Sequence, residues 1–499
     1  MSTVAAPADR RTTAIGIAAF GSVCLLGGAL LGPNEALGGA VIFLVAAVLA
    51  MRELATPTLT WPNAIAAFAL VIWLIPARGY RLPISLPFNL EPYRLVLAGL
   101  VIVFIAALIA GRAKLEFLGF GIPLAILATT AIVSAILNYD EIGTAPGDPG
   151  AFKALSYYLG FLAVFVLVAS TIKTHAAMDT VVRALVLGAA IVAFAAIYES
   201  RSGYNYFDHL HEWIPALIRE QRAVFDVRGG NVRVYASAQH PIALSAALFM
   251  TFPLALYLIG RAKTRLRAQM WGVAAAICAM GAVATISRTT VIMGIALLVV
   301  GLWVRGRQVL RFWPLLLILP FAIHFAVPGA LGGIYHAFFP QEGLTGDLTT
   351  RSGEQGSGRF ADVGPGLRVW SDSPLVGNGI GQKLTTGEAG AAQTAEGAEG
   401  AVIFFDNEWL GTLVSLGALG ILGTAWFVWG SLVTLGRFAR RVPGPRSELA
   451  AVCAAAIGAF GVSMFVFDAF AFVQCTLVFF AIAALGLQAR RLGPRPTDS

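Results

Sequence analysis

Apolar runs of about 20 residues recur from one end of this chain to the other, and each is the length that a helix needs to cross a bilayer. The composition agrees: of 499 residues, 58% are hydrophobic and only 12% are charged, with a mean hydropathy of +0.77. A soluble domain carries about 25% charged residues. So little charge cannot cover a water-facing surface, which excludes a soluble enzyme, a disordered chain and a disulfide scaffold. The sequence predicts an all-α, polytopic transmembrane helix bundle.

Fourteen apolar segments can be delimited. They are 14–31, 36–50, 61–76, 94–110, 117–137, 152–170, 181–198, 240–260, 270–286, 289–304, 312–328, 408–431, 449–467 and 469–487. With the N-terminus inside and alternating sides, 21 of the 35 Lys and Arg residues fall in cytoplasmic segments, including every basic cluster of three or more. Such an excess marks cytoplasmic loops. We therefore expect about 14 spans with both termini cytoplasmic, and we attribute the net charge of +8 to topology rather than to nucleic acid.

Two outside connections are long, and they divide the chain into five parts. These are N-terminal transmembrane helices (1–198), a first outside loop (199–239), central transmembrane helices (240–328), a large outside loop (329–402), and C-terminal transmembrane helices with a cytoplasmic tail (403–499). Amphipathic spacing over residues 213–225 predicts an interfacial helix in the first loop. Long loops on a rigid scaffold commonly carry function, so the chemistry is expected on the outside.

Three arginines and an Asp-Asn pair stand near the outer ends of spans. Arg233 precedes the span that starts at His240, Arg288 lies between two apolar runs, Arg359 lies in the large loop, and Asp406-Asn407 closes that loop. Guanidinium groups bind phosphate oxygens bidentately and stabilise charge on a leaving group. A carboxylate beside them can take a proton from an attacking hydroxyl. The pattern suits a pyrophosphate at the interface whose polyprenyl tail stays in the bilayer.

Simpler explanations exist for each residue. An arginine at a membrane interface often only anchors its helix, and Asp406-Asn407 or His240 before Pro241 can serve as helix caps. The glycines at 377, 379 and 381 imitate a nucleotide loop, but a tight turn with close backbone packing explains them better. Cysteines 24, 278, 453 and 475 all lie inside apolar runs and are expected to be small core residues.

The order of these elements resembles the O-antigen polymerase/ligase family of bacterial inner-membrane glycosyltransferases. The matching pattern comprises Arg233, Pro241, Ser287-Arg288, Arg359, Pro374-Leu375, Gly377, Gly379, Asn407, Leu410 and the helix segment Leu416-Gly417-Ala418-Leu419-Gly420. It covers about residues 233–425, and the first seven spans agree only in being spans. Three positions depart from the family: Ala236 where Gly is common, Ile242 where Asn often follows the proline, and Asp406 where ligases typically have His.

The resemblance implies transfer of an oligosaccharide from undecaprenyl pyrophosphate on the periplasmic face, without metal or cofactor. Polymerases extend another lipid-linked repeat, whereas ligases modify the lipid A core. Carried over, Arg233 and Arg359 bind the pyrophosphate and Asp406 assists the acceptor, while Arg288, His240 and Asn407 complete the substrate-binding set. Asp406 in place of His favours a polymerase of O-antigen or exopolysaccharide repeats. The partners implied are the lipid carrier, the bilayer and a chain-length regulator.

Two other classes fit less well. A lipid-linked oligosaccharide flippase matches the span number, but it should carry charges within its spans, and here the spans are almost free of them. A polyprenyl-phosphate-sugar glycosyltransferase of another type usually shows paired acidic residues in the first outside loop. In this chain that loop, near 31–35, has only Glu35.

Overall fold

The computed structural model describes residues 60–84, 89–139, 150–220, 227–228, 231–310, 363–380, 406–442 and 447–493, with a few isolated positions between 324 and 355. These residues are mostly helical, and the all-α expectation is confirmed for them. The helices are α1 Trp61–Leu74, α2 Pro92–Ile109, α3 Gly121–Leu137, α4 Gly150–Thr171, α5 His175–Ser202, α6 Leu210–Trp213, α7 Pro241–Gly260, α8 Arg265–Ala284, α9 Arg288–Leu310, α10 Val363–Asp372, α11 Glu408–Arg441, α12 Glu448–Ser463 and α13 Val473–Leu492.

Eleven of these helices coincide with predicted spans, because long apolar runs bounded by Pro, Gly and charge leave few alternatives to a helix. Eight described helices are long and apolar enough to cross a membrane: α2, α4, α5, α7, α8, α9, α11 and α13. Helices α1, α3 and α12 are apolar but shorter. The predicted segments 14–31 and 36–50, and nearly all of 312–328, lie outside the described residues.

Contacts between helix ends fall into two groups, one at each end of the bundle. At one end, Glu116 pairs with Lys173 and with Arg491, so the connections after α2 and α4 meet the end of α13. At the other end, the Gln474 amide donates to the Ile72 carbonyl and to the Ser237 hydroxyl. Successive long helices therefore run in alternating directions. We call the end with Gln474 the site face and the end with Glu116 the opposite face.

Helix α13 lies at the centre of the bundle. It packs against α4, α7 and α12, and 94% of its most apolar 18-residue window is buried inside the protein. Aromatic side chains fill the space around it; for example, Phe479 stacks on Phe460 with ring centroids 4.4 Å apart. The helix that follows all other described helices in the chain is thus the core element. The cysteines in the described part, Cys278, Cys453 and Cys475, are free and buried, as expected of small core residues.

The helix predicted over 213–225 is wrong for residues 214–220. Helix α6 ends at Trp213, and the strand Ile218–Arg219 pairs antiparallel with the strand Tyr80–Arg81. An ion pair of 2.7 Å between Arg81 and Glu220 holds the same contact. Pairing with a distant loop outweighs the amphipathic spacing, which is a weak local preference. Two further two-residue strand pairs are Val227–Arg228 with Asn231–Val232, and Thr350–Arg351 with Glu354–Gln355.

Candidate functional site

The segment from Arg233 to His240, which we call the arginine loop, is fixed to the site face by side chains of neighbouring elements. The Glu199 carboxyl, near the end of α5, accepts hydrogen bonds from the backbone N–H groups of Ala236 at 2.9 Å and Tyr235 at 3.4 Å. The Asn205 amide donates to the Ala236 carbonyl at 3.1 Å. These bonds satisfy buried backbone groups that no regular element pairs. The arginine loop is therefore a positioned segment of the bundle.

Ala236 adopts a left-handed backbone conformation, with φ +43°. A Cβ makes that conformation unfavourable by roughly 1–2 kcal/mol, and glycine avoids the cost. This positive φ explains why Gly is common at this position in the family that the sequence resembles. In this chain the bonds from Glu199 and Asn205 hold the alanine in place.

Arg233 begins the arginine loop, and its Nε and Nη2 atoms are buried from solvent. A guanidinium stays charged when it is partly dehydrated. A simple interfacial anchor would instead extend its head group into water. The burial of these two atoms distinguishes Arg233 from such an anchor.

His240 ends the arginine loop and caps helix α7. Its Nδ1 accepts a hydrogen bond from the Ile242 N–H at 3.1 Å, and its ring packs against Phe472 with centroids 5.5 Å apart. The neighbouring Gln239 accepts a bond of 2.7 Å from the Val473 N–H at the start of α13. The capping interpretation of His240 is confirmed, and the residue also joins the arginine loop to the central helix.

Arg288 is the first residue of α9 and is partly buried. It follows Ile286, another residue with a positive φ of +49°, and precedes a buried hydrogen bond between Ser245 and Thr290. A cation at a helix N-terminus opposes the helix dipole, at a cost of about 0.3–1 kcal/mol. An anion bound at this helix N-terminus would interact favourably with both the guanidinium and the helix dipole.

Asn407 is the N-cap of α11. Its side-chain oxygen accepts hydrogen bonds from the N–H groups of Trp409 at 3.0 Å and Leu410 at 3.3 Å. The capping interpretation is therefore confirmed for Asn407, whose side-chain oxygen already accepts two hydrogen bonds. The adjacent Asp406 is partly buried, and its charge acts on Asp468 in the turn between α12 and α13.

The turn from Met464 to Phe472 is fastened to the start of α11 by Glu408, a residue that is only 4% exposed. The Glu408 N–H donates to the Met464 carbonyl at 2.8 Å, and its carboxyl accepts from the Phe470 N–H at 2.7 Å and the Thr412 hydroxyl at 2.7 Å. The Glu408 and Asp468 carboxyl groups also interact with each other. This arrangement holds Asp468 next to Asp406.

Burial raises the pKa of the Asp468 carboxyl, and the nearby Asp406 charge adds to the increase. The hydrogen bond with Glu408 and the charge of Arg78 act in the opposite direction. A carboxylate with a raised pKa is a stronger base than an ordinary aspartate. Neither Asp468 nor Glu408 could be predicted as a site residue from the sequence, because an acidic residue in a turn or at a helix start carries no distinguishing local signal.

Arg78 is a further cation of the site face, and the sequence pattern did not predict it. Its Nε donates to the Tyr157 hydroxyl at 3.3 Å, its guanidinium lies 4.8 Å from the Tyr157 ring centroid, and its charge reaches Asp468. Its φ is +57°, and its backbone N–H is held by Glu91 at 3.0 Å. In the sequence it resembles any interfacial arginine, so only the tertiary contacts distinguish it.

Residues 374–379, which we call the wedge, insert into a break in helix α11. The break lies at Gly417, with φ +66° and ψ −165°. The N–H groups of Asn378 and Gly379 donate to the carbonyls of Val414 and Ser415, and the N–H groups of Ala418 and Leu419 donate to the carbonyls of Pro374 and Leu375. Non-helical backbone is tolerated at membrane depth only when such partners are supplied. The wedge supplies them.

Glycine is required on both sides of this insertion. A Cβ on Gly377 would lie 2.4 Å from the Ser415 carbonyl carbon, and one on Gly417 would lie 2.4 Å from the Leu375 carbonyl group. The interpretation of Gly377 and Gly379 as a tight turn with close packing is confirmed, and their N–H groups bind backbone carbonyls rather than being free for a phosphate. Gly381, the third glycine of the series, lies outside the described residues. The two motifs Pro374–Gly379 and Leu416–Gly420 are thus halves of one structure.

Helix α10 precedes the wedge and packs on the first half of α11 through Val369, Leu410 and Val414. Its Val369 carbonyl accepts from the Asn378 side chain at 2.7 Å, and the Trp370 indole donates to the Pro374 carbonyl at 3.0 Å. Arg359 lies outside the described residues, four positions before α10 begins.

The site face thus gathers several of the predicted residues. His240 contacts Phe472, and Asp406 and Asn407 adjoin the same Met464–Phe472 turn, while Arg233 lies in the loop that His240 ends. Arg288 starts a neighbouring helix, since α9 packs on α7 and α12. The described residues therefore bring cations and carboxyl groups to one end of an apolar bundle.

A family model described as O-antigen ligase matches residues 273–425. The match includes Arg288, Arg359, Asp406, Asn407, the wedge and the broken part of α11, whereas Arg233 and His240 precede it. A search of curated proteins gives no match to the chain. The match supports a membrane-embedded enzyme of the O-antigen ligase or polymerase type. The family match over residues 273–425 agrees with the resemblance to the O-antigen polymerase/ligase family that the sequence pattern predicts.

Proposed function

We propose that this protein is a glycosyltransferase that polymerises oligosaccharide repeats carried on undecaprenyl pyrophosphate, at the periplasmic face of the bacterial inner membrane. The observation that carries the proposal is the O-antigen ligase match over the part of the chain that ends at the Asp406–Asn407 helix start. The grouping of Arg233, Asp406 and Asp468 at one end of the bundle supports it.

In the proposed reaction, an acceptor sugar hydroxyl attacks the anomeric carbon of the lipid-linked repeat. The new carbon–oxygen bond forms as the bond to the pyrophosphate breaks, and undecaprenyl pyrophosphate leaves with the electron pair. Arg233 and Arg359 bind the pyrophosphate and stabilise the charge that develops on it. Arg288 and His240 line the approach, and Asn407 fixes the start of α11.

The acceptor proton is proposed to pass to the carboxylate pair Asp406 and Asp468. An ordinary aspartate is a weak base, but the raised pKa of Asp468 makes it a better acceptor of the proton. Asp406 orients the hydroxyl and keeps that pKa raised through its charge. The pair performs the task that a histidine performs at the Asp406 position of typical ligases.

The test is reconstitution of the purified full chain with lipid-linked repeats. We expect Arg233→Lys and Arg359→Lys to reduce polymer formation by roughly 10²–10³-fold, because lysine cannot bind phosphate bidentately and loses charge stabilisation. Arg201→Lys, at the exposed end of α5, is the matched control and should retain full rate. A wild-type rate in both lysine variants would overturn the assignment of these arginines.

Transfer to the lipid A core is the second activity of the same family, and a deletion strain complemented with the gene separates the two. The surface glycan of a polymerase deletion collapses to single repeats on a gel. A ligase deletion retains long polymer on its lipid carrier and loses capped lipid A. A flippase would change the side on which repeats are found without lengthening them.

A further inference from the structure

A cleft of about 580 Å³ opens on the opposite face, far along the bundle from the candidate site. It lies between the end of α13 and the connection from α2 to α3. Residues 115–119 of that connection, which we call the strap, form its other wall together with the first residues of α3. The strap is held in an irregular shape: Leu118 and Gly119 have φ of +54° and +88°, and the Glu116 N–H donates to the Ser170 hydroxyl at 3.0 Å.

The cleft carries an excess of positive charge. Arg490 and Arg491 line it, and Arg491 contacts the Glu116 carboxylate at 2.5 Å. Lys173 contacts the other oxygen of the same carboxylate at 3.6 Å. The hydrogen bond from Arg491 lowers the pKa of the Glu116 carboxyl, so this acid is ionised at neutral pH. Among the lining residues one carboxylate faces two guanidinium groups, and Lys173 beside them brings the local excess to two positive charges.

The rim of the cleft is apolar and exposed. Leu115, Phe117 and Ile122 line it and are 49%, 37% and 63% exposed. Because the cleft lies at the end of a bundle whose helices are apolar enough to cross a membrane, we expect these side chains to lie where acyl chains meet head groups. Cations at a helix C-terminus also stabilise that helix, but this role requires neither a cleft nor an apolar rim.

We propose that the cleft between the strap and the end of α13 is a binding site for an anionic phospholipid. The phosphate of the head group is held by Arg490 and Arg491, and Lys173 adds to the positive field. The acyl chains lie along Leu115, Phe117 and Ile122. Basic pockets between membrane helices bind anionic head groups in this way, and the two excess positive charges select an anionic lipid over a zwitterionic one.

The test is native mass spectrometry of the purified full chain after exposure to phosphatidylglycerol or phosphatidylcholine. We expect phosphatidylglycerol to be retained in preference to phosphatidylcholine. The double variant Arg490→Gln/Arg491→Gln should lose roughly tenfold or more of that retention, since each basic residue near a membrane surface contributes about a fivefold factor. Both side chains are exposed, so the variant is expected to fold, which its melting temperature checks.

The matched control is Arg440→Gln/Arg441→Gln, which removes two arginines from the last turn of α11 outside the cleft. It should keep wild-type retention. A second variant, Ile122→Asp, places a negative charge on the apolar rim and should reduce retention without touching the arginines. Equal retention of both lipids, equal loss in the control, or full displacement by inorganic phosphate alone would overturn the proposal, the last by showing a site for a free anion.

Discussion

The arginine loop and the wedge are both non-helical segments fastened to helix ends, but they are held in different ways. Side chains hold the arginine loop: Glu199, Asn205 and Gln474 bind its backbone and its Ser237 hydroxyl. Main-chain hydrogen bonds hold the wedge within the break of α11. A loop held from outside leaves room for a Cβ, as Ala236 shows, whereas an inserted backbone leaves none at Gly377 or Gly417.

The largest effect is expected at the break itself. Gly417→Ala should destabilise the protein by about 3 kcal/mol or more, because backbone strain of about 1–3 kcal/mol adds to overpacking of about 1–3 kcal/mol. Thermal unfolding in detergent measures this. Gly411→Ala is the matched control in the same helix, since nothing lies within 4 Å of its added Cβ. The control should be neutral or stabilising; similar losses in both variants would show that the wedge does not impose the requirement.

The second largest effect is expected at Glu199, whose carboxyl holds the arginine loop. Glu199→Ala removes the acceptor of two backbone N–H groups and should cost about 2–3 kcal/mol, with a loss of transferase activity as Arg233 shifts. Glu199→Gln retains one acceptor oxygen for the Ala236 N–H and should be milder. Activity and melting temperature are measured together. If Glu199→Ala retains both wild-type activity and the wild-type melting temperature, contacts other than this carboxyl hold the arginine loop.

A smaller change is expected at Ala236, and it has the opposite sign. Ala236→Gly relieves the left-handed strain and should stabilise the folded state by about 1 kcal/mol, less the extra entropy of glycine in the unfolded chain. The expected result is an unchanged or slightly raised melting temperature with activity retained. A clear drop would mean that the loop depends on the alanine methyl group rather than tolerating it.

The smallest effect is a displacement of the pH–rate profile. As a base, Asp468 works above its raised pKa and is lost as the pH falls through that value. Asp406→Asn removes a charge that raises the pKa, so the acid limb of the profile should move to lower pH. Arg78→Gln removes a charge that lowers the pKa, so the limb should move to higher pH. Both residues lie close to the site, so the direction of each shift is the readout.

Arg81→Gln is the control for the Arg78 variant, because it removes a nearby cation that pairs with Glu220 at the surface. Its profile should not move. Shifts of the same sign in the Asp406 and Arg78 variants would contradict the assignment of Asp468 as the group that titrates. Full polymer output from Asp406→Asn at every pH would leave Asp406 with no part in the reaction.

Much of the helical framework could be predicted from the sequence, because apolar runs of membrane-spanning length specify a helix locally. The strand Ile218–Arg219 could not, because its partner Tyr80–Arg81 lies far away in the chain. The capping roles of Asn407 and His240 followed from residue type and position. The interactions of Asp468 and Arg78 could not be predicted, since they arise where the ends of distant helices meet. The link between Gly377 and Gly417 likewise exists only in three dimensions.

The central position of α13 has a consequence for biosynthesis. Translation produces this helix after every other described helix, yet its first residues hold the arginine loop through Val473 and Gln474. The helices made earlier must leave space for α13 between them. The bundle therefore cannot assemble until the ribosome has translated this segment. Truncation before Val473 should therefore yield an inserted but inactive chain that proteases remove.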